Sequence, residues 1–425
     1  MNDSIDTDAL GYVEALAAFL DACPSPSHVV AAAEATLVSN GFTAGSYTET
    51  DQGIFGVSKG ALHRDGALIA WNWPEHSSVS DGALIVGAHT DSPCLRLKPH
   101  QGAAAFGFAQ LEVEIYGGVL LNSWLDRDLG LGGTVHTASG ETVLFTSYEA
   151  VARVPQLAIH LDRDVNEKGV VLHRQMHMRP IWGSASGQFL DWLAEQSNLD
   201  SRDIVGHDLR LFDAQPAALI GHDQRFLASG RLDNQVSCWA ALSAMIDVTP
   251  SRPFVIALFD HEEVGSESTT GAGGPMLEVV LDELLRARGL LDSRFDFHRK
   301  SLCVSADNAH AVHPNYSDRH DALHAPVVNS GPALKVNANQ RYATSPQTYA
   351  RIKRIAALEN IPLQTFVSNN AMPCGSTIGP ITATRLGIDT VDLGVPQLSM
   401  HSARELCGVD DPWHLVRLIE SMARN

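Results

Sequence analysis

Two acidic residues stand side by side in the segment FDHEEVGSES, directly after an apolar run that has the length of a strand. Adjacent carboxylates repel each other, so Glu262 and Glu263 are difficult to explain by structure alone. A division of labour explains them: one glutamate binds a metal ion and the other takes a proton as a general base. The pair therefore indicates metal-assisted hydrolysis. His261, beside the pair, is a further and ambiguous candidate ligand.

Histidine and aspartate residues follow or precede four other apolar segments. His89 and Asp91 follow ALIVGA, and a carboxylate commonly orients a metal-bound imidazole through its second ring nitrogen. Asp233 precedes an apolar helix, Asp307 ends SLCVSAD, and His401 follows a later strand-like segment. Each has a simpler explanation when taken alone, such as a hydrogen-bonded core histidine or a helix N-cap. Together they predict a metal site.

The types of these side chains restrict the metal. Two imidazoles and three carboxylates without a thiolate suit Zn, Mn or Co. Five ligands exceed the three that a single catalytic zinc keeps, but they fit two ions that share one carboxylate. Such ions lie ~3.5–4 Å apart and activate a water molecule between them.

The elements that must position these residues alternate along the chain. Apolar runs of strand length are followed by segments of helical periodicity, which predicts an α/β protein: a three-layer sandwich with a mostly parallel central sheet. In such sheets ligands collect at the carboxyl ends of the strands, where the polar residues fall. The expected strands are 83–90, 252–263, 301–307 and 389–396; the expected helices are two between 8 and 40, then 234–247, 275–288, 345–360, 376–387 and one from about 412.

The middle of the chain has a different pattern. LEVEIYGG (111–118) alternates apolar and polar residues, QLAIHLDRDV (156–165) has the composition of a strand, and a helix is expected around 188–195. We therefore predict a catalytic domain formed by 1–96 and 230–425 and an inserted, β-rich dimerisation or lid domain formed by 97–229.

Composition and charge exclude several classes of function. A formal net charge of −19 disfavours nucleic-acid binding, and no apolar run approaches the ~20 residues that span a bilayer. The first ten residues are acidic, unlike a signal peptide, and the six cysteines are scattered without metal-finger spacing. These features predict a cytoplasmic protein that binds neither membranes nor nucleic acid. No glycine-rich stretch matches a nucleotide-binding loop.

Taken in order, the motifs identify a family. HTDSPCLRLKP, WLDRDLGLGG, SGRLDNQ, FDHEEVGSES, SADNAHAVHPNY and LSMHSARE resemble the aspartyl aminopeptidase family of dinuclear zinc metallopeptidases, and the resemblance extends from about residue 8 to 420. It implies an aminopeptidase that removes single N-terminal residues from short peptides. It also implies two zinc ions per subunit, with Mn or Co as alternatives. The implied ligands are His89 and Asp307 on one ion, Glu263 and His401 on the other, and Asp233 as the bridge.

The same resemblance implies roles for the surrounding residues. Glu262 is the expected general base, Asp91 is expected to orient His89, and the Asp233–Asn234 peptide bond is expected to be cis. The remaining residues are expected at the substrate: Lys335 as the cation for an acidic N-terminal side chain, Tyr342 as a donor to the oxyanion, His310 and Met400 as pocket lining, and His160 as a residue that reaches a neighbouring subunit's site.

Assembly and specificity follow from the resemblance as well. It implies a homo-oligomer, a dodecamer built from dimers, and a preference for N-terminal Asp or Glu. Aminopeptidases for neutral or basic N-terminal residues remain an alternative. An N-acyl amino acid deacylase and a non-catalytic scaffold are further alternatives, which a substrate comparison and the metal stoichiometry separate.

Overall fold

A computed structural model of the chain describes residues 7–49, 51–147, 149–185 and 188–425. The acidic N-terminal segment therefore lies mostly outside the described residues. Within them, the helices in chain order are α1 Thr7–Ala22, α2 Pro26–Ser39, α3 Val165–Lys168, α4 Phe189–Ser197, α5 Leu232–Asp247, α6 Met276–Ala287, α7 Arg294–Lys300, α8 Pro346–Leu358, α9 Ile378–Leu386 and α10 Asp410–Arg424.

The strands of the described residues fall into four sheets. In chain order they are β1 Thr43–Ser46, β2 Lys59–Arg64, β3 Ala67–Asn72, β4 Leu84–His89, β5 Cys94–Leu97, β6 Ala103–Ala105, β7 Phe108–Gln110, β8 Val113–Tyr116, β9 Leu129–Thr137, β10 Thr142–Thr146, β11 Ile181–Ser184, β12 Ile204–Asp213, β13 Ala218–Ile220, β14 Phe226–Ser229, β15 Phe254–Phe259, β16 Leu302–Ala306, β17 Ala309–His310, β18 Ala333–Val336, β19 Gln364–Val367, β20 Asp389–Gly394, β21 Pro396–Leu398 and β22 Glu405–Gly408.

The largest sheet has the strand order β1-β2-β3-β15-β4-β16-β20-β18-β19. Its centre is parallel: β15 and β16 both run alongside β4, and β20 runs alongside β16. Every residue of β4, β15 and β16 is buried, as expected for strands covered on both faces. This arrangement confirms the predicted α/β fold.

Helices cover both faces of this sheet and complete three layers. The core on one face includes residues of α1, α2, α5, α8 and α10. The core on the other face includes residues of α6, α7 and α9. The predicted helices end within about two residues of the observed ones, because each carries an apolar face of helical period against the sheet.

One predicted strand is shorter than expected. The segment 252–263 was expected to be extended throughout, but β15 ends at Phe259. His261 has a left-handed backbone conformation (φ +63°), and Glu262–Val264 form a 3-10 turn. The turn, rather than alternation along a strand, allows Glu262 and Glu263 to face the same site.

The middle of the chain forms antiparallel sheets with a hydrophobic core of their own. One sheet has the order β10-β9-β12-β5-β8, and a smaller one has the order β11-β7-β6. Strands β13 and β14 instead join β22, β21 and β17 in a further sheet beside the catalytic part. The division at 97 and 229 remains a prediction.

The expected strand at 156–165 is wrong. This segment consists of turns that lead into α3, and no described strand pairs with it. Its apolar side chains point to solvent: Leu157, Ile159 and Leu161 are 63%, 46% and 74% exposed. A segment of strand-like residues needs a neighbouring strand to accept and donate its backbone hydrogen bonds. Because none of the described strands lies beside it, this segment forms local turns instead.

All six cysteines lie within the described ranges and are free, and five of them are buried. No helix of the described residues is both long and apolar enough to cross a bilayer.

Candidate metal centre

Three parallel strands deliver side chains to one edge of the large sheet. His89 is the last residue of β4, Glu262 and Glu263 follow β15, and Asp307 follows β16. Because β4 pairs with both β15 and β16, their carboxyl ends are adjacent. The Nε2 atom of His89 lies 3.6 Å from Asp307 Oδ1 and 4.0 Å from Glu262 Oε2.

Asp233 and His401 come from outside these strands. Asp233 is at the start of α5, where the Asp233–Asn234 peptide bond is cis, as predicted. Its Oδ1 atom lies 3.5 Å from His89 Nε2, and its Oδ2 atom lies 3.4 Å from His401 Nε2. His401 Nε2 is also 3.4 Å from Glu263 Oε1. Asp233 thus stands between the two histidines.

The five predicted ligands form two groups of three that share Asp233. His89, Asp233 and Asp307 place one ligand atom each within 4.8 Å of one another, and so do Asp233, Glu263 and His401. His89 also forms such a group with Glu262 and Glu263. A shared carboxylate between two triads is the arrangement expected for two neighbouring cations.

Both histidines have the orientation of metal ligands. The Nδ1 atom of His89 lies 3.0 Å from the backbone carbonyl oxygen of Asp91, and the Nδ1 atom of His401 lies 3.1 Å from that of Gly118. A carbonyl oxygen only accepts, so each Nδ1 carries the proton and each Nε2 is left to face the carboxylates. The contact with Gly118 comes from the middle of the chain, and the sequence motifs gave no indication of it.

The electrostatics of the group also fit bound cations. Asp233 Oδ1 and Glu263 Oε1 are buried and have no hydrogen-bond partner. Burial and neighbouring carboxylates raise the pKa of Glu262 to about 7 and raise that of Glu263 well above its usual range. Such an excess of buried negative charge is what divalent cations neutralise. The nitrogen and oxygen donors suit zinc.

The two histidines respond to the same negative charge. Burial lowers the pKa of each, but the surrounding carboxylates outweigh burial. Asp233 and Asp307 hold the pKa of His89 well above its usual value, and Asp233 and Glu263 raise that of His401 to about 10. Positive charge is therefore favoured at both imidazoles, at the positions where the two triads would hold cations.

Asp91 supports the site mainly through the backbone of the glutamate pair. Its Oδ1 and Oδ2 atoms accept the amide N–H groups of Glu262 and Glu263, both at 3.1 Å. The Asp91 Oδ1 atom is 3.4 Å from His89 Nδ1, whereas the Asp91 backbone carbonyl oxygen is 3.0 Å from the same nitrogen. Tyr116, at the end of β8, donates its hydroxyl to Asp91 Oδ2 at 2.7 Å. Sequence reasoning missed Tyr116, although it lies in the alternating segment LEVEIYGG.

A cavity of about 470 Å³ opens beside the two triads. Lys335, Tyr342, His310 and Met400 all contribute to its wall. Lys335 is 1% exposed, and its Nζ atom donates to Asp307 Oδ2 at 3.1 Å and to the carbonyl oxygen of Asn308 at 3.2 Å. The ammonium group also lies 5.1 Å from the centre of the Tyr342 ring.

Two of the singled-out histidines lie apart from this cavity. His160 is an exposed residue of the turn segment that follows Leu157 and is absent from the cavity wall. The ring of His261 faces the hydroxyl of Ser268, with Nδ1 2.9 Å from Oγ, and does not complete either triad.

Comparisons with known proteins also indicate a zinc metalloprotease. Residues 19–422 match the family model of the aminopeptidase I zinc metalloproteases, M18. A probable M18 family aminopeptidase 2 of Streptomyces coelicolor is 47% identical over 416 residues, which cover 96% of each chain.

Solved structures show the same relationship. The structure of the Ape4 and Nbr1 complex has a TM-score of 0.93 and 34% identity, covering 98% of this chain and 86% of the other. The mApe1 dodecamer of S. cerevisiae has a TM-score of 0.85 and 26% identity, covering 98% and 96%.

Proposed function

Because the chain belongs to the M18 family of aminopeptidase I zinc metalloproteases, and is thus a metal-dependent aminopeptidase, we propose that it releases N-terminal Asp or Glu from short peptides. The observation that carries the proposal is the pair of ligand triads joined by Asp233 beside a cavity that contains a buried lysine. Two zinc ions per subunit match these triads, and Mn and Co suit the same donors.

The ligands divide between the two ions. His89 and Asp307 would hold one ion, Glu263 and His401 would hold the other, and Asp233 belongs to both groups of ligands. When bound, the ions lower the pKa of water from ~15.7 toward ~7 and polarise the scissile carbonyl. The acidic side chains around them also provide contacts for the free α-amine of the substrate, which gives selectivity for the N-terminus.

Glu262 is the general base of the reaction. It belongs to neither of the triads joined by Asp233, it lines the cavity, and its Oε2 atom is 4.0 Å from His89 Nε2. In this position it takes the proton of the attacking water and passes it to the leaving amine. Asp91 holds the turn that carries Glu262 through the two amide hydrogen bonds.

Tyr342 and Lys335 act on the substrate. Burial raises the pKa of the Tyr342 phenol above its usual value, so the phenol keeps its proton and donates a hydrogen bond to the oxyanion. Lys335 has three N–H donors, and Asp307 and Asn308 accept two of them. The third is available to a substrate carboxylate in the cavity, with His310 and Met400 on the surrounding wall.

A panel of aminoacyl chromogenic substrates, assayed with added Zn, Mn or Co, tests this proposal. Hydrolysis of the Asp and Glu substrates above all others supports it. Faster release of neutral or basic residues would contradict the preference for Asp and Glu, but the chain would still be an aminopeptidase. Cleavage of an N-acetylated dipeptide in place of its free-amine form would indicate a deacylase. A chain that binds none of Zn, Mn and Co would instead support the non-catalytic scaffold.

The exposed turn segment supports self-association. Leu157, Leu161, Val171 and Met176 are all more than 60% exposed, and they lie on a short stretch that includes His160. Exposed apolar residues at this density mark an interaction surface. This surface, together with the similarity to the mApe1 dodecamer, leads us to propose a homo-oligomer, a dodecamer built from dimers, in which this segment contacts a partner and His160 reaches the partner's site. Light scattering after gel filtration measures the assembly.

A further inference from the structure

Glu405 joins two metal ligands that are far apart in the sequence. It is the first residue of β22 and is 2% exposed. Its Oε2 atom accepts the backbone N–H of Asp233 at 3.0 Å, and its Oε1 atom accepts the backbone N–H of His401 at 2.8 Å. Glu405 does not line the cavity, so it acts on these residues from behind.

The backbone that Glu405 holds is in an unfavourable conformation. His401 has a φ of +67°, and Arg231, two residues before Asp233, has a φ of +61°. Residues other than glycine adopt this left-handed region at a cost and keep it where the surroundings enforce it. The hydrogen bond from the His401 N–H to Glu405 is one such constraint, and it holds the backbone from which the imidazole projects.

Glu405 is connected to a third ligand through two buried amides. Gln397 donates from Nε2 to Glu405 Oε1 at 3.2 Å, and its own Oε1 accepts from Asn308 Nδ2 at 2.8 Å. Asn308 directly follows Asp307 and also donates to the carbonyl oxygen of Leu232, just before Asp233, at 2.8 Å. The backbone around Asp233, Asp307 and His401 is thus tied into one buried network.

We propose that Glu405 is a positioning residue of the metal centre, which sets the spacing of Asp233 and His401 by accepting both of their amide N–H groups. The inference rests on the proposed function, since it assigns these two residues as ligands. A carboxylate suits the position because three N–H donors converge on its two oxygens, and in its ionised form it only accepts. A glutamine here would turn an NH₂ group toward one of those donors and leave it unsatisfied.

The test is a zinc titration of Glu405→Gln against a chromophoric chelator, combined with kcat and KM. Loss of a residue that orients metal ligands typically weakens metal binding roughly 10- to 100-fold. We expect zinc affinity to fall by this factor at the site formed by Asp233, Glu263 and His401. kcat should fall at limiting zinc and recover in part at saturating zinc, whereas KM should change little.

Asp411→Asn is the matched control. Asp411 is also buried, and its two oxygens also accept backbone N–H groups, from Asn329 at 2.6 Å and Gly331 at 2.8 Å, but it contacts no predicted ligand. This variant should lower the melting temperature and leave zinc affinity unchanged. If it weakens zinc binding as much as Glu405→Gln does, general destabilisation explains both results and the inference is overturned.

Gln397→Met provides a second route should Glu405→Gln fail to fold. It removes one donor to Glu405 and keeps both backbone hydrogen bonds, so zinc affinity should fall about 2- to 10-fold. Unchanged zinc affinity in every folded variant of this network overturns the inference. A wild-type protein that binds none of Zn, Mn and Co overturns the proposed function instead, so the two failures are distinguishable.

Discussion

Replacing Glu262 by glutamine separates catalysis from metal binding. Neither triad that contains Asp233 uses Glu262, so both ions should remain bound. The hydrogen bond to Asp91 comes from the Glu262 backbone and is unaffected by the side chain. What is lost is the proton acceptor, and general base catalysis contributes ~10²–10⁴-fold in rate. We therefore expect kcat to fall by a factor in that range, with KM within a few-fold of the wild type.

The neighbouring residue supplies the control for this experiment. Glu263 belongs to the triad with Asp233 and His401, so Glu263→Gln should lose zinc as well as activity. Zinc content after dialysis and kcat on an aspartyl chromogenic substrate distinguish the two variants. A Glu262→Gln enzyme that keeps more than about a hundredth of the wild-type kcat contradicts the assignment of the base, since the loss would lie below the lower limit for such catalysis.

Four further predictions concern the cavity lysine, the support of Asp91, the metal and the exposed turn segment. Lys335→Met should reduce kcat/KM for acidic substrates about 10- to 100-fold relative to a leucyl substrate, because a charge-assisted hydrogen bond is lost; an equal loss on both would refute its role in selectivity. Tyr116→Phe removes the hydroxyl bond to Asp91 and should lower kcat several-fold while circular dichroism stays unchanged; wild-type kcat would exclude its supporting role. Removing zinc with a chelator should abolish activity and lower the melting temperature, and zinc addition should restore both; activity that survives verified metal removal would rule out the metal mechanism. Leu161→Asp should dissociate the oligomer in light scattering, whereas His160→Ala should keep the assembly and lose activity; a Leu161→Asp protein of unchanged mass would exclude that interface.

The parts of the site that sequence could predict are those encoded locally. His89, Glu262, Glu263 and Asp307 follow apolar runs, and a run of strand length predicts both a buried strand and the edge at which its end appears. The turn at Glu262 was missed because no glycine or proline in FDHEE marks the end of the strand, and the left-handed backbone of His261 is seen only in the structure. The expected backbone conformation of Glu262 and Glu263 was wrong, but their expected location at the edge of the sheet was correct.

The parts that sequence could not predict depend on contacts across the fold. Glu405 stands four positions after His401 in a motif that was recognised, but its role appears only when β22 lies beside the start of α5. Tyr116 and Gly118 reach the site from the middle of the chain. The segment around His160 carries strand-like residues, but no described strand pairs with it, so its composition predicted the wrong element.

In the proposed function, Lys335 would connect substrate selectivity with metal binding. Its ammonium group is buried and donates to Asp307, a predicted ligand, while it also lines the cavity. A substrate carboxylate that binds Lys335 therefore approaches an ammonium already shared with the metal centre, and it draws positive charge away from Asp307. By thermodynamic linkage, the ion at Asp307 and the substrate acid must each affect the affinity of the other by the same factor. The proposed selectivity for acidic residues would thus depend on Lys335 together with the charge of the ion next to it, in a cavity whose wall also carries four carboxylates.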